Sequence, residues 1–204
     1  MSMSTAGSAD HSGARSATRE LAQVAVFAAL IVVLGLPGQL SIGSAGVPIT
    51  LQTLGVMLAG SLIGWRKGLF SVLAVIVIGL ALPVLAGGRT TLASLASPTA
   101  GFLVGWIPAV IVIGLLTALI MPRYRMLPGL AINILGGIVV IYVFGVLGML
   151  LRTELTLGAA IAANGVFLPG DLFKAVVTVI VAAQVHKARP GLIPSLRGRR
   201  PASA

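Results

Sequence analysis

Cysteine is absent from this chain, and acidic residues nearly so: four Asp and Glu stand against 14 Lys and Arg in 204 residues. Without thiols there is no disulfide, no thiolate nucleophile and no Cys-based metal site. The two histidines, His11 and His186, belong to no H-E-x-x-H motif, which excludes a zinc metalloprotease centre. No G-x-x-x-x-G-K-[ST] occurs, so the chain does not hydrolyse ATP through a P-loop. No Ser/His pairing within the apolar runs suggests an intramembrane serine protease. Neither an enzyme nor a bound cofactor is implied. Charged residues make up only 9% of the chain and aromatics 5%, where a soluble domain carries roughly a quarter charged residues.

What is present is hydrophobic, at 57% of residues, and it falls into long runs. The expected fold class is therefore an all-α, multi-pass protein of the cell membrane. A net charge of +10 suggests nucleic acid in a soluble protein. Here the basic residues lie between and beyond the apolar runs, and no aromatic-interleaved basic face exists, so the charge reads as membrane topology.

Residues 1–17 are rich in Ser, Ala and Gly and read as a disordered cytoplasmic tail. Residues 18–188 form the transmembrane domain, and residues 189–204 a basic tail, solvated or resting on anionic lipid. Six spans are expected: Leu21–Leu36, Leu51–Gly64, Leu69–Leu85, Thr99–Met121, Leu127–Leu151 and a last one from about Val166 to Val185. The first follows Arg19 and Glu20 and has no small-residue cleavage site, which argues against a signal peptide. The second is short for the ~20 residues a bilayer asks for. Six spans with both termini cytoplasmic put every Lys and Arg on the inner side except Arg89, Arg152 and Lys174. That asymmetry favours this orientation. Two outer loops, 37–50 and 86–98, exceed a plain turn; the first carries no charge and is a candidate lid over a cavity.

The stretch with most chemical content is Phe167-Leu-Pro-Gly-Asp-Leu-Phe-Lys174. Pro169 and Gly170 read as the start of a helix, with Asp171 suited to cap it. Asp171 and Lys174, at i and i+3, share one helix face. Lys187 marks the inner surface about 20 Å of helix beyond Lys174, so the pair lies in the outer part of the membrane. One reading is a helix-start ion pair near the headgroups, with Lys174 snorkelling. The other is a solute site, because ionisable groups within a span face a partner or a cavity. Arg89 follows Gly87-Gly88 in the outer loop, where backbone can approach closely, and is either solvated or turned to the site. Gln52 and Thr53 open the second span as caps or as ligand contacts. Asn133, Asn164 and Tyr142 are single polar groups for which interhelix bonding is the plainer role; Tyr142 and Asn164 also stand as candidate ligand contacts. Small residues recur at four-residue spacing in Ala25/Ala29, Gly60/Gly64, Gly101/Gly105 and Gly114/Ala118, a pattern that lets helices approach in lipid.

Three stretches together carry a resemblance: Pro48-Ile-Thr-Leu-Gln-Thr-Leu-Gly-Val-Met, the Gly-Gly-Arg loop leading to Ser97-Pro-Thr-Ala-Gly-Phe-Leu-Val-Gly-Trp106, and Phe167 to Lys174. Over about residues 20–188 the chain resembles the BioY family, the biotin-specific S components of energy-coupling-factor transporters. The middle stretch departs from the usual Gly-Pro-Thr-Gly-Gly-Tyr at Ser97, Ala100 and Phe102. The resemblance implies a six-helix S-component fold that binds biotin near the outer face. Thr99, in the matching stretch, joins the candidate contacts. The resemblance further implies a partner module of one transmembrane coupling protein and two cytoplasmic ATPases, docked through Ala25 and Ala29. Biotin's carboxylate then meets Lys174 or Arg89, and its ureido N–H groups meet Asp171. The alternatives are a self-sufficient transporter of a small carboxylate or vitamin with Asp171 as proton carrier, and a membrane enzyme using Asp171.

Overall fold

The computed structural model describes residues 7–36, 40–41 and 48–196. The elements in order are α1 (Gly7–Val33), two short strands that pair antiparallel, β1 (Leu40–Ser41) and β2 (Pro48–Ile49), then α2 (Gln52–Ala81), α3 (Thr91–Leu95) and α4 (Ala100–Ile120). A continuous rod follows, made of α5 (Met126–Ile134), a π-helical turn (Leu135–Val140) and α6 (Ile141–Arg152). The interfacial-length α7 (Leu157–Gly165) and the last long helix, α8 (Leu168–Ala188), complete the chain. Helical backbone thus begins at Gly7, inside the stretch expected as a tail. The expected lid, 37–50, falls largely on residues 37–39 and 42–47, outside the described ones.

Five helical stretches are long and apolar enough to cross a membrane: Ser16–Val33, Gln52–Ala81, Ala100–Ile120, Met126–Arg152 and Leu168–Ala188. The second is not one straight rod. At Gly64 the backbone takes φ 79°, ψ 177°, a conformation essentially reserved for glycine. The two arms, 52–63 and 65–81, fold back on each other. Gly68 lies against the Ala59 backbone, and the Gln52 amide at the start of one arm reaches Val84 and Ala86 just past the end of the other. A straight helix of this length would hold those ends about 45 Å apart.

Glycines set the close crossings. A Cβ on Gly101 would collide with the Phe144 carbonyl oxygen, which brings α4 against α6. A Cβ on Gly114 would collide with the Trp65 backbone, which seats α4 under the break in α2. The Gly101/Gly105 and Gly114/Ala118 spacings are therefore internal packing, as is Gly60 against Ile113. Ala25 and Ala29, by contrast, are exposed on α1. Asn133 does bond helix to helix: its Nδ2 donates to Ser61 Oγ at 3.1 Å and to Gly129 O at 2.9 Å. At that same end, His186 Nε2 lies 2.8 Å from Ser61 O, and residues 189–196 cross beneath the bundle. Ile193 is buried there against Ala118 and Met121, and Leu196 N–H donates to Ala118 O.

Candidate functional site

At the opposite end of the bundle a cavity with about 650 Å³ of open space, mouth included, lies between α2, the 85–99 segment, α4, α6 and α8. Phe102, Leu103, Trp106, Ile141 and Phe167 give it apolar walls, with the Phe102 and Phe167 rings edge-to-face at 6.1 Å.

Asp171 and Lys174 line this cavity, both buried. Lys174 Nζ donates to Asp171 Oδ1 at 2.8 Å, with side chains 4% and 8% exposed for Lys174 and Asp171. Tyr142 on α6 donates its hydroxyl to the other oxygen, Oδ2, at 2.7 Å. Thr53 on α2 sits between both charges: Lys174 Nζ donates to its Oγ1 at 3.1 Å, and Oγ1 lies 3.5 Å from Asp171 Oδ1. Three helices therefore converge on one carboxylate. Phe167, not Asp171, occupies the N-cap position of α8, and no side chain caps it. The capping expected of Asp171 does not occur because α8 starts three residues earlier, at Leu168, and the carboxylate is bonded instead by Lys174, Tyr142 and Thr53.

Gln52 also lines the cavity, but its amide is committed elsewhere. Nε2 donates to Ile31 O at 3.3 Å and Val84 O at 3.2 Å, while Oε1 accepts from Ala86 N–H at 2.9 Å. One side chain thus ties α1, α2 and the 82–90 connection together. It is no helix cap; α2 has Leu51 at that position. Thr99 is similarly engaged, its Oγ1 sharing a 2.7 Å hydrogen bond with Ser97 Oγ.

Arg89 faces the cavity from a tight turn that Leu85 and Arg89 close with reciprocal backbone bonds across Gly87 and Gly88, both at positive φ. Its Nε donates to Ala86 O at 3.3 Å, and no carboxylate comes within ion-pair reach among the described residues. Partial burial draws its pKa down from the ordinary range, yet a guanidinium stays charged near neutrality. Asn164 does not join this group. It lies on α7, where Nδ2 donates to Ala160 O at 2.8 Å, away from the cavity lining. Among the described residues the site thus has a charge-balanced ion pair on one wall and an uncompensated cation on the 85–99 segment.

The sequence of this chain matches the model of the BioY family over residues 3–191. It is 44% identical over 189 residues to the biotin transporter BioY of Rhodobacter capsulatus, covering 86% of this chain and 97% of that protein. It is 42% identical over 186 residues to the biotin transporter BioY of Rhizobium etli, covering 87% and 98% respectively. Its structure superposes on the crystal structure of the S-component for biotin from an ECF-type ABC transporter with a TM-score of 0.81. That match has 31% identity and covers 85% of this chain and 93% of that one. The fold and the sequence thus agree, and the chain belongs to the BioY family.

Proposed function

We propose that this chain is the biotin-binding membrane component of an energy-coupling-factor transporter, capturing biotin from the outer side and releasing it inward. The observation that carries this reading is the pairing, in one apolar cavity, of a bonded Asp171–Lys174 couple with an uncompensated Arg89. Biotin offers a neutral cyclic urea, an apolar ring and chain, and a carboxylate. A neutral couple with one acceptor and one donor suits the urea: Asp171 accepts from its N–H groups and Lys174 donates to its carbonyl. Arg89, with no carboxylate in ion-pair reach among the described residues, takes the carboxylate, since the charge of Lys174 is already balanced by Asp171. Tyr142 and Thr53 hold the couple in place.

In this reading the chain crosses the membrane six times with both termini in the cytoplasm. The two arms of α2 count as separate crossings because Gly64 turns the chain back. The cavity then opens outward and the Arg- and Lys-rich turns lie inside. The exposed Ala25/Ala29 face of α1 receives the transmembrane coupling protein, which carries two ATPases.

Titration calorimetry of the purified protein with biotin tests the site. Asp171→Ala, Lys174→Ala and Arg89→Ala are each expected to weaken binding at least tenfold. Wild-type protein that does not bind biotin would refute the assignment. Vesicle uptake measured with and without the ATPase module tests the coupling; full uptake without it, driven by a proton gradient, would favour a self-sufficient transporter.

A further inference from the structure

Four buried side-chain polar atoms find no hydrogen-bond partner among the described residues: Ser94 Oγ, Thr117 Oγ1, Tyr124 OH and Asn164 Oδ1. An orphaned buried hydroxyl costs stability, on the order of 1–3 kcal/mol, unless something completes its bonding. Only one of these four residues lines the cavity, and that is Ser94, at 3% exposure. Its surroundings do not supply a partner. The Ser94 carbonyl is heavily used, accepting from Ser97 Oγ at 2.8 Å and from Thr99 Oγ1 at 3.4 Å, while the hydroxyl is left aside. The neighbouring hydroxyls of Thr91 and Thr99 are both bonded within the protein.

We infer that Ser94 is a further substrate-binding residue, whose Oγ–H donates to a carboxylate oxygen of the guest alongside Arg89. This rests on the biotin reading above and extends it. Ser94 and Arg89 belong to the same 85–99 segment, Ser94 on α3 only five residues beyond Arg89, and both line the cavity. Among the described residues Ser94 Oγ has no hydrogen-bond partner, and Arg89 bonds only the Ala86 carbonyl, with no carboxylate in ion-pair reach. Asp171, the acceptor, comes from α8 and is already surrounded by donors. A carboxylate accepts two or more donors readily, so a guanidinium and a hydroxyl on one segment form a matched pair for it.

The role predicts opposite effects on binding and on stability, which separates it from a structural one. Ser94→Ala removes a hydroxyl with no partner in the empty protein, so the unliganded melting temperature is expected to hold or rise. Biotin affinity by titration calorimetry is expected to fall about tenfold. Ser94→Gly repeats the test if Ser94→Ala does not purify. In Ser94→Ala/Arg89→Gln, the added loss from the Ser94 change is expected to shrink several-fold, because both residues hold one group. Unchanged biotin affinity in Ser94→Ala, with wild-type binding intact, overturns the inference while leaving the biotin reading standing. Full additivity in the double variant overturns the carboxylate assignment. Absence of biotin binding in the wild type would instead sink the underlying reading.

Discussion

Asp171 takes its character from how completely it is bonded. Lys174, Tyr142 and Thr53 all reach its two oxygens, at distances from 2.7 to 3.5 Å. Breaking a buried ion pair by removing one partner costs about 3–5 kcal/mol, whereas replacing both charges is often near neutral. Asp171→Ala and Lys174→Ala are thus expected to lower the thermal midpoint in detergent substantially. Asp171→Asn/Lys174→Met is expected to recover most of that stability while biotin binding stays lost. Recovery of both would make the couple a fold element rather than a binding one. The i, i+3 spacing of this couple was legible in the sequence, because it depends only on helix periodicity. Its partners were less so. Tyr142 lies 29 positions from Asp171 and Thr53 118 positions away, distances that only tertiary packing closes. Gln52 illustrates the same limit from the other side. A glutamine at a helix start suggests a cap or a ligand contact, and nothing local reveals that its amide ties together Ile31, Val84 and Ala86. Ser94 carried no local signal at all, since an unpartnered hydroxyl is defined by what surrounds it.

Among the elements, the break in α2 is the decisive feature. The run of apolar residues from 51 was readable as ending at Gly64, with a short basic turn at 65–68. The structure instead resumes helix directly after one glycine. A Cβ there would meet only the Ile193 side chain, at 3.7 Å, so space is not the constraint; the backbone conformation is. Gly64→Ala is expected to cost about 1–3 kcal/mol through that strain alone. Gly101→Ala is expected to cost at least as much by a different route, since its Cβ would strike the Phe144 carbonyl and push α4 off α6. Thermal unfolding of the two variants checks both; a neutral Gly64→Ala would mean the hairpin tolerates a different turn. The short helices α3 and α7 escaped the sequence reading. Their hydroxyl caps, Thr90 to Ala93 N–H and Thr156 to Ala159 N–H, are single-residue signals in loops of small residues. Neither helix has the length or apolar run that made the long ones visible.

For the molecule as a whole, charge and apolar length spoke together in the sequence. The basic turns fall at one end and the cavity at the other, because alternate spans return the chain to the same side. Arg66, Lys67, Arg123, Arg125 and Lys187 all lie at the end where His186 meets Ser61, while Arg89, Arg152 and Glu154 lie toward the cavity end. Absent cysteine turns this layout into a clean experiment, since any introduced thiol is unique. Glu154 and Arg125 are both exposed, one in each class of turn. With both termini in the cytoplasm, Glu154→Cys is expected to react with a membrane-impermeant maleimide on intact cells. Arg125→Cys is expected to react only after permeabilisation. The reverse pattern would invert the protein, turning the cavity toward the cytoplasm and removing capture from outside. Reaction of both residues on intact cells would mean an even number of crossings between them. The rod Met126–Arg152, which alone connects the two positions, would then not cross the membrane. Its 27 residues span about 40 Å, more than a ~30 Å hydrocarbon core requires, so the labelling of these two sites tests one crossing directly.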